Sequence, residues 1–272
     1  MTQASLYLGD DGLLVGQHEF AGGEVVVYSS RSPGKATPNE DAAAVIPLGN
    51  DSGVLAVADG VGGRRGGREA AGIAVKRLVE FIQEPVKGDE LLRTRILNAI
   101  ESANEDVIAL GVGAGATLAI AEICKGMVRS YHVGDAAVML VGQRGKIKFM
   151  TVPHSPIGLA VEAGFMDEEE AIHHEDRHLV FNMIGANDMH IDVGPSLRMA
   201  VFDRVLVASD GLFDNLSTNE IVDRIRKGSV VDILETLSAD ALTRMIGAVP
   251  GHPSKPDDLT FIVGRQGRRA TQ

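Results

Sequence analysis

Two stretches of the chain are apolar at nearly every position and end on the same two residues. Val54-Leu55-Ala56-Val57-Ala58 runs into Asp59-Gly60, and Val205-Leu206-Val207-Ala208-Ser209 runs into Asp210-Gly211. A short run rich in Val and Leu predicts a strand buried on both faces, and a following Gly lets the backbone turn sharply or approach a ligand closely. Each strand therefore delivers a carboxylate from the core to a mouth. Residues 1–30 instead break apolar patches (Leu6, Leu8; Val25, Val26, Val27) with Gly and acids, which predicts strands and turns. Residues 29–38, with two prolines, read as a loop.

Helical spacing appears twice after Gly60. Ala71, Val75, Leu78 and Ile82 share one face of a helix from about Arg68, and Leu92, Ile96, Ala99, Ala103 and Val107 mark a second. A β meander follows over 117–123, 127–133, 137–141 and 147–152, with Lys125-Gly126 and Arg144-Gly145 as hairpin turns, so the sheet is not purely parallel. Asp167 to Glu170 open a short helix. Ser217 and Glu220 have capping-box spacing and start another through about Arg226. Leu234, Leu237, Ala241 and Met245 form the stripe of the last helix, and the loop 250–256 leads to a final strand over 259–263. With no solenoid repeat and no low-complexity linker, we expect one domain over 1–272, its core about 25–263 and its tail after 265 frayed.

Composition narrows the chemistry. The chain has 272 residues, 44% of them hydrophobic, enough for a sizeable core. Its net charge of −11 argues against a general nucleic-acid surface, and an anionic substrate would need local cations. The single cysteine, Cys124, permits no internal disulfide and reads as a small hydrophobe at a strand end. No window approaches a membrane span, so the expected setting is the cytoplasm.

Two further acidic pairs, Glu40-Asp41 after Asn39 and Asp257-Asp258 before Leu259, also lie at the mouths of apolar runs. Several carboxylates at strand ends point to a hard cation, because clustered carboxylates repel one another unless an ion neutralises them. All-oxygen ligation suits Mg or Mn, and no Cys or paired-His set suggests zinc. Gly111 to Gly115 follows a helix and precedes a strand, the reverse of the dinucleotide fingerprint, and Gly62 to Gly67 lacks the Gly-Lys-Ser/Thr ending of a phosphate loop. His173, His174 and His178 read as a solvated segment, His154 as a structural or rim residue, and Glu168-Glu169-Glu170 as a solvated helix start.

The ordered set Asn39-Glu40-Asp41, Ala58-Asp59-Gly60-Val61-Gly62-Gly63, Gly115-Ala116-Thr117, Val133-Gly134-Asp135, Ser209-Asp210-Gly211-Leu212-Phe213-Asp214 and Asp257-Asp258-Leu259-Thr260 resembles the metal-dependent protein phosphatase 2C family, its bacterial serine/threonine members above all. The resemblance spans about 25–263. It implies an α+β fold, a four-layer αββα sandwich of two mostly antiparallel sheets flanked by helices, with a binuclear Mg or Mn centre at one end. By resemblance, Asp59 bridges two metals, Asp210 and Asp257 complete the first, and the carbonyl of Gly60 with Glu40 and Asp41 serves the second. Asp135 with Asp210 would hold a third, weaker metal. The implied catalytic set is Asp59, Asp210 and Asp257, and the implied reaction is direct attack of a metal-bridging hydroxide on phosphoserine or phosphothreonine, without a phosphoenzyme.

Five positions depart from that pattern. Ala36 stands where the family has a phosphate-clamping Arg, so Lys35, then Arg31, are the expected substitutes, with Arg64, Arg65 and Arg68 behind them. Val61 replaces the His that serves as acid in eukaryotic relatives. Ala136-Ala137 replace Ser-Arg, and Asp258 replaces Asn. The expected function is a monomeric phosphoprotein phosphatase that counters a serine/threonine kinase and binds neither nucleic acid nor membrane. The alternatives are a catalytically weak binding or regulatory module, which the missing Arg favours, and a phosphatase of a small phosphorylated metabolite.

Overall fold

The computed structural model describes residues 3–9, 12–61, 66–85 and 91–267. Gly62, Gly63, Arg64, Arg65, the side chain of Glu169 and the tail 268–272 lie outside the described residues. In chain order come β1 (Ser5–Leu8), β2 (Leu14–Phe20), β3 (Gly23–Ser30), β4 (Ala42–Pro47), β5 (Ser52–Gly60), α1 (Gly67–Gln83) and α2 (Leu92–Ala109). Then follow β6 (Ala116–Cys124), β7 (Met127–Val133), β8 (Ala137–Val141), β9 (Ile147–Met150), α3 (Pro156–Glu162), α4 (Glu168–Ile172) and a 3-10 turn (Glu175–His178). The chain continues through β10 (Asp192–Val193), β11 (Leu197–Arg198), β12 (Arg204–Ala208), α5 (Asp210–Phe213), α6 (Thr218–Ile225) and α7 (Val230–Ile246) to β13 (Leu259–Arg265).

The strands form two antiparallel sheets. One runs β1-β4-β5-β6-β7-β10, with β11 also on β7, and the other runs β2-β3-β13-β12-β8-β9. A strand alternates its side chains between faces, so a strand inside a sandwich must be apolar on both. In β5, Leu55 and Val57 enter the core between the sheets, while Val54, Ala56 and Ala58 pack under α1 and α2 against Val75, Leu78, Ile96 and Ala99. In β12, Val205 and Val207 face the same inter-sheet core, and Leu206 and Ala208 pack under α6 and α7 against Ile221, Leu234 and Leu237. The expected layers are therefore all present: helices, sheet, sheet, helices. The two runs that opened the sequence lie in facing sheets, with their C-terminal ends at one edge.

The expected meander resolves into two hairpins. β6 pairs with β7 across Lys125-Gly126, and β8 pairs with β9 across Arg144-Gly145, but β7 and β8 belong to different sheets. Burial is the reason. Tyr131 and Val133 of β7 join the cluster under α1 and α2, whereas Met139 and Val141 of β8 need the cover of α6 and α7. Gly134 makes the crossing at φ 96°, and a Cβ there would fall 2.5 Å from Thr117 Cβ. The Gly134-Asp135 step is thus a passage between sheets, not a hairpin turn. β9 also ends two residues early: the Thr151 N–H still donates to the Val138 carbonyl at 3.0 Å, but the return bond from the Val138 N–H goes to Thr151 Oγ1 at 3.0 Å.

The capping box expected at α6 forms, and α4 carries another. Asp167 and Glu170 cap α4 reciprocally, and Ser217 and Glu220 do the same for α6. Among the described residues, no helix is long and apolar enough to cross a membrane. Gly134→Ala combines a positive φ with a backbone-adjacent clash, so we expect chemical denaturation to register a loss of about 1–3 kcal/mol. A loss under half a kcal/mol would mean the crossing tolerates a side chain.

Candidate metal centre

The period of two carries the inter-sheet faces outward to the site. Beyond Val57 that face of β5 ends on Asp59, and before Ala43 that face of β4 begins with Asp41. Asp59 lies opposite Thr117 of β6 in the ladder. On β12 the same face ends on Ser209, whose hydroxyl donates to Asp41 Oδ2 at 2.9 Å and ties the two sheets together. Asp210 then opens α5, so the second Asp-Gly begins a helix where the first closes a strand. Gly60 and Gly211 are both required by close approach. A Cβ on Gly60 would meet the Gly67 carbonyl carbon at 2.4 Å, and one on Gly211 would meet the Asp258 carbonyl oxygen at 1.9 Å.

A buried polar chain fixes these elements. Asn39 accepts the Asp41 N–H at 2.9 Å and donates to Ser29 Oγ at 2.9 Å, and Ser29 in turn meets Thr260 Oγ1 at 2.8 Å. Asp258 clamps the loop before β4, accepting from Ser32 N at 2.8 Å and from Glu40 N at 2.7 Å. Lys35 lies over this clamp, with Nζ 2.6 Å from Asp258 Oδ2 and 2.8 Å from Glu40 Oε2. Burial opposes its charge, yet Asp258 and Glu40 hold its pKa above the usual lysine value. Arg31 sits half-buried on the same loop, Arg68 is exposed on α1, and Ala36 is exposed between Lys35 and Asn39.

The structure gathers Asp41, Asp59, Asp135, Asp210 and Asp257 at this end. Burial, then Asp41, Asp210 and Asp257, push the Asp59 carboxyl well above the ordinary carboxylate range. Burial, then Asp258, does the same to Asp41. Asp135 is raised to about 8 by burial, Asp210 and Asp214, and burial and Asp210 raise Asp257. Asp41 Oδ1 and Asp210 Oδ1 are buried without a hydrogen-bond partner among the described residues. Orphaned carboxylate oxygens among like charges, with oxygen donors throughout, fit hard divalent cations. Glu40 extends the set, since its Oε1 lies 3.1 Å from where a Gly67 Cβ would sit, beside Gly60.

Lys255 and Asp214 complete the acidic rim, and sequence reasoning assigned neither a role. Lys255 Nζ lies 2.6 Å from Asp214, 3.0 Å from Asp210 and 3.0 Å from Asp257. Its only signal in the chain is a Lys-Pro step directly before Asp257-Asp258. A cavity of about 360 Å³ opens beside Asp135, Asp210 and Asp214, walled by Met150, Ile157 and Phe213.

His154 is buried and held by the backbone. Its Nδ1 accepts the N–H of Gly134 at 3.0 Å, so the ring proton sits on Nε2, which faces Asp192 at 3.2 Å. A nitrogen carrying that proton has no lone pair for a metal, which removes the grouping of His132, His154 and Asp192 as a ligand set. His173 and His174 lie at the end of α4, and His178 closes the 3-10 turn.

An antiparallel four-layer sandwich with a buried, all-carboxylate centre at one end is the architecture of a metal-dependent phosphatase. A family model described as protein phosphatase 2C matches residues 32–246, and the chain belongs to that family. It is 28% identical over 195 residues to protein phosphatase PhpP of Streptococcus pneumoniae strain D39, covering 68% of this chain and 77% of that one. The S. agalactiae serine/threonine phosphatase superposes with a TM-score of 0.75 at 25% identity, over 89% of this chain and 99% of its own. The catalytic domain of PstP, solved with two manganese ions, shares the fold with a TM-score of 0.71 at 23% identity.

The raised carboxylates set the pH dependence of the metal-free protein. A carboxyl whose pKa is higher in the folded state stabilises that state at low pH, and the stability is lost as pH rises through the raised value. His132, which burial lowers to about 4, works the other way, but only below about pH 6.5, the ordinary imidazole value. In chelator, the melting temperature should therefore fall from pH 6.5 to 8, and saturating manganese should raise it and flatten the slope. Superimposable curves with chelator and manganese would mean that no such cluster exists.

Proposed function

We propose that this phosphatase removes phosphate from phosphoserine and phosphothreonine in proteins, with two Mg or Mn ions held by Asp59, Asp210 and Asp257 on one side and by Asp59, the Gly60 carbonyl, Glu40 and Asp41 on the other. The observation that carries this is the burial of Asp59 among Asp41, Asp210 and Asp257. When bound, two such ions supply an acidified water as nucleophile and screen the phosphoryl oxygens. The chain's own part is to hold oxygens in place before substrate arrives. Ser209 orients Asp41, and the Asp257 carboxylate accepts the Asp258 N–H at 2.9 Å. Val61 offers no proton, so the departing serine or threonine oxygen takes its proton from water.

The cavity beside Asp135, Asp210 and Asp214 supports a protein substrate over a small metabolite. Its wall is largely apolar, with Ile147, Met150, Ile157, Val161 and Phe213, and suits a side chain neighbouring the phosphoresidue. The phosphates consumed must be written by a serine/threonine kinase. Lys35 is our first choice for the phosphate contact, with Arg31 second. Both lie on the loop that leads into Glu40 and Asp41.

Asp210→Asn and Asp59→Asn keep shape but remove charge, so each should lower kcat by at least about a hundredfold in a manganese-dependent phosphopeptide assay, with the fold intact by circular dichroism. Near wild-type turnover in a folded, metal-loaded Asp210→Asn protein would sink the assignment.

Steady-state kinetics with the same peptide test the loop. Lys35→Ala should raise KM more than it lowers kcat, because the contact is made in ground and transition states alike. Ala36→Arg should increase kcat/KM, since a planar fork grips phosphate better than an ammonium. Unchanged constants in both Lys35→Ala and Arg31→Ala would exclude this loop.

A further inference from the structure

Lys255 reaches the acidic centre from a backbone that is itself held. The buried Asn215 side chain accepts the Lys255 N–H on Oδ1 at 2.9 Å and donates Nδ2 to the Lys255 carbonyl at 2.8 Å, and the same Nδ2 donates to the Gly211 carbonyl at 2.9 Å. One amide therefore locks the Lys255 peptide to the turn that carries Asp210. Pro256 restricts the next φ angle and biases Lys255 towards extended backbone. From this anchor the ammonium contacts Oδ2 of Asp214, Asp210 and Asp257 at 2.6, 3.0 and 3.0 Å.

The two oxygens of Asp210 are thereby divided. Oδ2 faces Lys255, while Oδ1 is buried and has no hydrogen-bond partner among the described residues. A metal shared with Asp59 can use Oδ1 without displacing the lysine. The cavity lined by Asp135, Asp210 and Asp214 opens beside two of the three carboxylates that Lys255 contacts. A lysine ammonium is a compact point charge with three donors, and it meets three carboxylate oxygens here.

We propose that the Lys255 ammonium is a built-in cation that neutralises the rim carboxylates Asp210, Asp214 and Asp257, takes the place of a third, weakly held metal, and leaves this enzyme with two exchangeable ions. The proposal rests on the assignment of Asp59, Asp210 and Asp257 as metal ligands. A covalently tethered charge cannot dissociate, so the rim stays neutralised when divalent ions are scarce. It also carries one charge where a metal carries two.

Counting bound manganese tests this without reference to turnover. Equilibrium dialysis of the full chain against manganese at pH 7.5, with bound metal read by mass spectrometry, should give two ions per wild-type chain. Lys255→Met should gain a third, weaker event, Lys255→Arg should not, and Lys255→Met with Asp214→Asn should lose the gain. In chelator, Lys255→Met should melt below wild type, and manganese should raise its melting temperature by more. A third ion on wild type, or only two on a folded Lys255→Met chain, overturns the proposal while leaving the two-metal centre standing. Wild type that binds no manganese overturns the centre itself, and the proposal with it. If Lys255→Met does not fold, Lys255→Gln replaces it under the same criteria, and the wild-type count decides alone if neither folds.

Discussion

Repulsion among buried carboxylates is the constraint on which this structure turns. Two like charges 4 Å apart repel by on the order of 4 kcal/mol at the effective dielectric of a protein surface, and by more as water is excluded. Asp59 sits among Asp41, Asp210, Asp257 and Asp135, a placement that core packing alone would never favour. The rest of the site is organised to tolerate it. Lys35 and Lys255 place their ammonium groups on the outer acids, Glu40 and Asp258 on one flank and Asp210, Asp214 and Asp257 on the other. The interior of the cluster, where Asp41 Oδ1 and Asp210 Oδ1 have no hydrogen-bond partner among the described residues, is the part that neither ammonium compensates.

The sandwich makes that arrangement possible because its stability lies elsewhere. β5 and β12 are buried on both faces along their length, in clusters shared with α1 and α2 on one side and α6 and α7 on the other. The strands project the acids only at their last residues. A site at strand ends draws its precision from the ladders behind it and gives up little of the core to polar groups. Ser209, Asn39, Ser29 and Thr260 carry the join, each hydrogen-bonded within a water-poor environment where an unpaired group would cost about 1–3 kcal/mol.

Legibility in the sequence followed the range of the interactions. The two strand-Asp-Gly runs, the helix stripes and the capping box at Ser217 are local patterns, and each appears in the structure where the sequence puts it. The meander expected over 117–152 does not show that the chain changes sheets at Gly134, because two apolar strands joined by Gly-Asp look the same whether they pair with each other or not. Only the demand of Met139 and Val141 for a helical cover separates them, and that is a long-range fact. Lys255 was invisible for the same reason. Two of its three partners, Asp210 and Asp214, lie 45 and 41 residues away in the chain, and a lysine in a proline-containing loop carries no signal of what it will meet.

Two departures from the family pattern are one event seen from two sides. Where the last motif usually has Asn, Asp258 accepts from Ser32 N on one oxygen and from Glu40 N on the other, so both ends of the loop 32–40 hang on a single carboxylate. An amide has one accepting oxygen and could not replace both bonds. The carboxylate brings a buried charge next to Glu40, and that charge requires a cation within reach. Lys35 supplies it at 2.6 Å, adjacent to Ala36, where the family places its phosphate-gripping Arg. A guanidinium turned towards substrate could not serve Asp258 as well. The loop therefore exchanges a dedicated phosphate fork for a self-neutralised clamp, and any phosphate contact that Lys35 makes is shared with two carboxylates. On the proposed assignment of metal ligands, substrate phosphate depends more on the cations that the inner carboxylates recruit, which links metal occupancy to substrate affinity.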